Sequence, residues 1–257
     1  MDNKISVVIN TYNAASQLRE TLESVRGFDE IVVCDMESTD ETVAIAREYG
    51  AKVVTFPRNG HNICEVARDF AIHSASNLWV LVVDADERVQ PALQRYLYDH
   101  IARPDCEDAL SVPFASMFMG RFTSTKAERH VRFFRHDKAF WPAIIHAPVK
   151  IDGTVGRIPA RRELEIEHFD DPTMAMRIAK LNRYSDNEVE KRLGRRYSAL
   201  ALLVRPWFFF FKMLILKGAI RDGRRGIIRA YMEMIYQVAL LGKHLERKVQ
   251  DESADRK

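Results

Sequence analysis

The chain has 257 residues, 47% of them hydrophobic, enough to bury the core of one α/β domain with an appended helical part and to exclude general disorder. Its formal charge of +3 is the difference between 39 basic and 36 acidic residues, which excludes a nucleic-acid-type polycation. Cys34, Cys64 and Cys106 show no CxxC spacing and cannot all pair within one chain, and residues 1–4 lack the apolar run of a signal peptide, so a cytoplasmic location is expected.

In chain order, residues 5–9 read as a buried strand, followed by a helix over 15–25 with Leu18, Leu22 and Val25 at helical spacing. Residues 31–34 form a second strand, and Ser38-Thr39-Asp40-Glu41 has capping-box spacing ahead of a helix that Gly50 ends. Residues 52–56 read as a third strand, 63–74 as an amphipathic helix, and 78–83 as an apolar strand that stops at Asp84. Strands alternating with helices predict an α/β fold with a mainly parallel sheet and helices on both faces. From Ala109 the rhythm changes. Residues 110–114 and 131–135 read as strands without a long helix between them, which predicts mixed or antiparallel pairing.

Beyond Asp171 three helical segments are expected, over 173–193, 195–220 and 225–248, dividing the chain into an α/β part (1–170) and a helical part (171–257). The basic residues between Arg161 and Arg229 point to an anionic partner. Residues 197–220 are rich in apolar side chains, including Trp207 and Phe208 to Phe211, but Arg205, Pro206 and Lys212 interrupt them. A charge at the bilayer centre costs roughly 3 kcal/mol, so this segment is expected to lie at a membrane interface rather than to span it. There Arg and Lys would meet anionic lipid, at about 1 kcal/mol each. A helix packed on the catalytic part is the alternative.

The most informative constellation is Asp84-Ala85-Asp86-Glu87, directly after an apolar strand. Ligands of open α/β sheets bind beyond the carboxyl ends of the strands, and carboxylates at i and i+2 suit Mg²⁺ or Mn²⁺ bridged to a substrate diphosphate. Such a metal would act as a Lewis acid on a leaving nucleoside diphosphate. Asn10-Thr11-Tyr12-Asn13 ends the first strand and can contact a base and ribose, with Tyr12 offering a stacking face. Asp35 ends the second strand, with Ser38 just after it. Three polar strand ends thus converge on one crevice.

Together these residues resemble glycosyltransferase family 2, which has the GT-A fold. The resemblance is carried by Ile5-Ser6-Val7-Val8-Ile9-Asn10-Thr11-Tyr12-Asn13, by Ile31-Val32-Val33-Cys34-Asp35-Met36-Glu37-Ser38-Thr39-Asp40-Glu41-Thr42 and by Trp79-Val80-Leu81-Val82-Val83-Asp84-Ala85-Asp86-Glu87. It implies nucleotide contacts at Thr11, Tyr12 and Asp35, with Arg68 matching a basic residue of the nucleotide pocket, and metal binding at Asp84 and Asp86. Asn13, Ser38, Asp84 and Arg132 complete the candidate nucleotide-sugar contacts. Looser motifs are similar to lipopolysaccharide core glycosyltransferases: Arg132-Phe133-Phe134-Arg135, Ile145-His146, Glu167-His168, Lys180-Leu181-Asn182-Arg183-Tyr184-Ser185 and Lys217-Gly218-Ala219-Ile220-Arg221-Asp222-Gly223. That branch generally carries an acidic residue after the histidine matching His146, where this chain has Ala147.

An inverting transfer needs a base within reach of the acceptor hydroxyl, and Glu87, His146 and Glu128 are the candidates. His168 is a candidate third metal ligand. Arg132 and Arg135 are candidates for binding a diphosphate or an anionic acceptor. The expected activity is metal-dependent, inverting transfer from a UDP- or GDP-sugar to a lipopolysaccharide-core or other lipid-linked glycan, at the inner face of the cytoplasmic membrane and without nucleic acid. A polyprenyl-phosphate or exopolysaccharide transferase shares the same donor site, and a non-catalytic nucleotide-sugar-binding protein is the alternative of another class. The chain contains no GxGxxG at a strand-to-helix turn, no GxxxxGK[ST] and no GxSxG, so dinucleotide, P-loop and α/β-hydrolase chemistries are not supported.

Overall fold

A computed structural model describes residues 3–60, 64–125, 127–143, 147–169, 173–192 and 197–254. The chain divides into two compact units, one of residues 1–116 and 127–169, the other of 117–126 and 170–257.

The first unit is built on β1 (Ile5–Thr11), α1 (Ala15–Ser24), β2 (Glu30–Asp35), α2 (Thr42–Glu48), β3 (Lys52–Thr55), α3 (Glu65–His73), β4 (Trp79–Asp84), β5 (Glu87–Val89) and α4 (Pro91–Ile101). It continues into β6 (Ala109–Phe118), whose last two residues belong to the second unit with β7 (Arg121–Phe122). It resumes with β8 (Glu128–Arg135), β9 (Ala139–Phe140), β10 (Lys150–Ile151), β11 (Val155–Arg157) and β12 (Ile166–His168). The main sheet runs β3-β2-β1-β4-β8-β6-β12-β5. β3, β2, β1 and β4 are mutually parallel, whereas β8 is antiparallel to both β4 and β6, as the change of rhythm predicts.

Every residue of β1 is buried. Ile5, Val7 and Ile9 pack into the core beneath α1 and α4, while Val8 faces the opposite core with Val32, Val80, Val82 and the α3 residues Ala67 and Ala71. Burial on both faces is why these strands read as continuous apolar runs, each large side chain contributing roughly 1.5–3 kcal/mol.

One expectation is corrected here. The sequence Ser38 to Glu41 does not form a capping box: α2 has no side-chain cap, and the Ser38 hydroxyl instead accepts the Asn13 N–H at 2.9 Å. Glu87 starts the short strand β5, and the next helix begins at Pro91, a residue that suits a first helical turn because it has no N–H to satisfy.

The second unit contains α5 (Met174–Lys191), α6 (Ala199–Phe211) and α7 (Arg224–Ala254). Thr173 and Ser198 cap α5 and α6 by accepting the N–H groups of Met176 and Ala201. The helix expected over 195–220 is interrupted. After Pro206, α6 passes into a π-helical turn at Lys212–Leu216, and Gly218, at φ 82°, ends it. Phe210, Met213, Ala219 and Ala230 form the core that holds this hairpin together.

Candidate active site

Parallel register aligns the polar strand ends. Thr11 pairs with Asp35 and Asn10 with Asp84, so the ends of β2, β1 and β4 form one continuous edge. Asp35 is buried and accepts from the Thr11 hydroxyl at 3.2 Å and from the Ser38 N–H at 2.9 Å. Asn13 adopts a left-handed φ of 49°, and its side-chain oxygen accepts the Thr39 N–H at 2.8 Å. With the Asn13 N–H bonded to Ser38, this ties the loops after β1 and β2 together. Tyr12 is exposed, with the Arg58 guanidinium 3.8 Å from its ring centre. Thr11, Tyr12, Asn13, Asp35 and Ser38 are thus brought together.

Asp84, ending β4, is held from both sides. Arg68 Nη2 from α3 lies 2.7 Å from one carboxylate oxygen, and Arg132 Nη2 from β8 lies 2.8 Å from the other. Burial alone would raise the Asp84 pKa, but the two guanidinium groups outweigh it and hold the carboxyl well below the usual range. Glu87 is buried; one of its oxygens accepts the Asp84 N–H at 2.8 Å and the other lies 3.3 Å from Arg132. Burial, with the neighbouring carboxylates, pushes its carboxyl up to about 7 despite Arg132. Arg132 sits where the β6–β8 register shifts, a bulge that re-aims its side chain toward Asp84.

Asp86 and His168 meet across a different pairing. β12 runs antiparallel to β5 with His168 opposite Glu87, and the Phe169 N–H donates to the Asp86 carbonyl at 2.9 Å. His168 Nε2 consequently lies 3.3 Å from Asp86 Oδ2, with both side chains half-buried.

The donor set fits a divalent cation that takes its remaining oxygens from a substrate diphosphate. Among the described residues no group of three or more His, Cys, Asp or Glu gathers as a metal cage. Asp86 and His168 offer a carboxylate and an imidazole, both acceptable to Mn²⁺. Asp84 has each oxygen on an arginine, so direct ligation by it requires one of those bonds to be exchanged. Arg68 Nε and Nη1 and Arg132 Nη1 are buried with no hydrogen-bond partner, as are both polar atoms of the Asn10 side chain. An unpaired buried donor costs about 1–3 kcal/mol, and charged donors cost more. Anionic oxygens from a ligand would satisfy the guanidinium groups.

The remaining candidates separate. Glu87 has both oxygens engaged inside the protein, one by the Asp84 N–H and the other by Arg132. Glu128 is exposed at the start of β8, on the same sheet edge as Asp84. Arg135 is corrected: it pairs opposite Trp79, at the other end of β4 from Asp84, and binds Asp137 at 2.8 Å. His146 lies outside the described residues.

Sequence reasoning missed Trp141 and His130. The Trp141 ring lies 4.8 Å from the Arg68 guanidinium and 6.0 Å from that of Arg132. His130 stacks edge-on against Phe114 at 5.2 Å, and burial together with Arg132 lowers its pKa. No local signal marks Trp141. His130 is two residues from Glu128 on a strand, a spacing that shares a face.

The model of glycosyl transferase family 2 matches residues 6–185. Among curated relatives, the lipopolysaccharide core biosynthesis glycosyltransferase LpsC of Rhizobium meliloti is 27% identical, covering 95% of this chain and 92% of its own. The uncharacterized glycosyltransferase RC0292 of Rickettsia conorii is 29% identical, covering 89% and 85% respectively. Among solved structures, a mannosyltransferase from Pyrobaculum calidifontis in complex with GDP-Man and Mn²⁺ shares the fold with a TM-score of 0.54 at 16% identity, covering 94% of this chain and 87% of its own. TarS residues 1–349 from S. aureus align with a TM-score of 0.51 at 16% identity, covering 90% of each chain.

Proposed function

The chain belongs to glycosyl transferase family 2, and from that premise we propose that it moves a sugar, with inversion, from a nucleoside-diphosphate sugar to a lipid-linked glycan of the lipopolysaccharide-core type. The observation that carries the donor half is the set of buried guanidinium nitrogens without a partner, Nε and Nη1 of Arg68 and Nη1 of Arg132, beside the Asp86–His168 pair. Asp86 and His168 would hold Mn²⁺ or Mg²⁺, which neutralises charge on the departing diphosphate. The P. calidifontis neighbour, solved with GDP-Man and Mn²⁺, agrees with this reading.

The protein's own groups divide the remaining work. Thr11, Tyr12 and Asp35, kept in place by the Asn13–Ser38 and Asn13–Thr39 bonds, receive the base and ribose. Arg68 and Arg132 donate to diphosphate oxygens while Asp84 and Glu87 fix their orientation, a preorganised arrangement that needs no rearrangement during transfer. Glu128, exposed on the same edge, takes the proton of the attacking acceptor hydroxyl.

The first unit carries the donor site, and the second brings the enzyme to its acceptor at the membrane. Ala199–Leu216 is apolar enough by length and composition to cross a membrane, with 17% of it buried. Leu200, Leu203, Val204, Trp207, Phe208, Phe211 and Ile215 recur at helical spacing and are all more than half exposed. Arg205 and Lys212 interrupt the segment, which favours lying in the anionic inner leaflet over crossing it. The relative named for lipopolysaccharide core biosynthesis supports this acceptor class. The test is to incubate the full chain with candidate nucleotide-sugars and lipid-linked core glycans and to read acceptor mass. A gain of one sugar unit is expected; no gain on any lipid-linked acceptor, with transfer to soluble glycans instead, would overturn the acceptor assignment.

A further inference from the structure

The motif Lys217-Gly218-Ala219-Ile220-Arg221-Asp222-Gly223 has no part in the donor site, yet it builds one wall of a cavity of about 200 Å³ within the second unit. That volume equals roughly six waters of bulk liquid, ample for one or two phosphate groups. The opposite wall is the hairpin of β6 and β7, turned tightly through Met119 and Gly120, both at positive φ.

Four arginines line the cavity: Arg121 from β7, Arg221 from the motif, and Arg225 and Arg229 from the first turns of α7. Asp222 is the one carboxylate among the lining residues, and both its oxygens accept the Ser124 N–H, at 2.9 and 3.1 Å. The carboxylate is thus turned to the loop, and the lining keeps an excess of positive charge. Two of the arginines are braced by neutral acceptors: Arg225 Nε on the Met119 carbonyl at 3.1 Å, and Arg229 Nη1 on the Thr125 hydroxyl at 3.0 Å. The acceptor that Arg225 meets is neutral, so that contact does not offset its charge. Convergent guanidinium groups are the usual recognition chemistry for phosphate oxygens.

The cavity is also adjacent in the chain to the apolar surface. Ile220, 59% exposed, immediately precedes Arg221, and Leu216, 68% exposed, precedes the motif itself. An anion held here would therefore belong to a molecule that also has an apolar part.

We propose that this cavity is a second anion site, distinct from the donor site, that binds a phosphate or diphosphate group carried by a lipid. The site stands on its own geometry; assigning its phosphate to the acceptor rests on the transferase reading above. Two sources share the chemistry, namely the phosphorylated acceptor itself and the headgroup of a bulk anionic lipid.

The experiment titrates the full chain with inorganic pyrophosphate in EDTA and follows the backbone amide resonances of Ser124 and Gly223, at the cavity itself. The native chain and the double variant Arg121→Gln/Arg221→Gln are compared, with Arg221→Gln alone as the second variant should the double fail to fold. Saturable shifts in the native chain, weakened at least about tenfold in the variant, are expected. Equal titration of both chains, or no shift in either, overturns the proposal. Binding to phosphatidylcholine vesicles containing phosphatidic acid then separates the sources. Loss of the phosphatidic-acid-dependent part in the variant assigns the site to bulk lipid, and its retention, with a raised KM for phosphorylated acceptor, assigns it to the acceptor. Donor turnover without acceptor, measured on the same samples, tests the transferase reading separately, because neither substituted arginine belongs to the donor site.

Discussion

Arg132 Nη2 lies 2.8 Å from the half-buried Asp84 carboxylate and bridges it to the buried Glu87, so one guanidinium joins two acids from consecutive strands. Removing one partner of such a cluster strands charge in the interior, which typically costs about 3–5 kcal/mol. Arg132→Ala is accordingly expected to lower unfolding free energy by about that amount in urea titration. Arg132→Lys should recover only part of it, since an ammonium keeps the charge but not the planar group that places Nη2 between both acids.

Acid sensitivity should trace to Asp108. Its hydrogen bond from Lys138, at 2.7 Å, and that from the Thr154 N–H, at 2.9 Å, lower its pKa from 3.8 to about 2. A folded pKa below the unfolded one means that this contribution is complete above about pH 4 and is lost as pH falls toward 2. Thermal melting of the native chain should therefore decline across that window more steeply than melting of Asp108→Asn.

The parts of the site that could be read in the sequence are those fixed by the strands themselves. Apolar runs ending in Asp35 and Asp84 announce two strand ends, and the parallel order aligns them without further information. The Asp84–Arg132 contact depends instead on β8 inserting antiparallel beside β4 and on a bulge at Arg132, neither of which leaves a periodic trace. His168 stood out as a histidine after an acid, but β12, the three-residue strand that carries it to Asp86, is too short for any pattern. Helix α4 does leave a periodic trace: Leu93, Leu97 and Ile101 recur at helical spacing behind Pro91 and are all buried. In the second unit, composition alone does not reveal the break between α6 and α7, which falls at Gly218 and Gly223, both at positive φ.

Close packing in that second unit is concentrated at Gly226. A Cβ placed there would lie 1.7 Å from the Ala219 carbonyl oxygen, part of the fixed backbone before α7. Gly226→Ala is expected to destabilise the helical unit by about 1–3 kcal/mol or more, as overpacking does. Urea titration followed by helical circular dichroism is the check. Gly242→Ala, with nothing within 4 Å of its added Cβ, is the matched control and should be neutral or stabilising.

Membrane attachment should depend on the exposed stripe of α6. Replacing Leu203, Trp207 and Phe208, which are 69%, 51% and 57% exposed, by Ser removes apolar surface without opening the core. Cosedimentation with anionic vesicles should fall at least about tenfold, and the melting temperature should change little. Unchanged cosedimentation would move the membrane contact elsewhere.

The most direct test of the donor chemistry is nucleoside diphosphate release from a panel of nucleotide-sugars, with and without Mn²⁺, comparing the native chain with Asp86→Ala. Slow hydrolysis of one donor, dependent on the metal and reduced at least about a hundredfold in the variant, is the predicted result. Release that proceeds equally without metal, or equally in Asp86→Ala, would contradict a site in which Asp86 and His168 hold the cation against the leaving diphosphate.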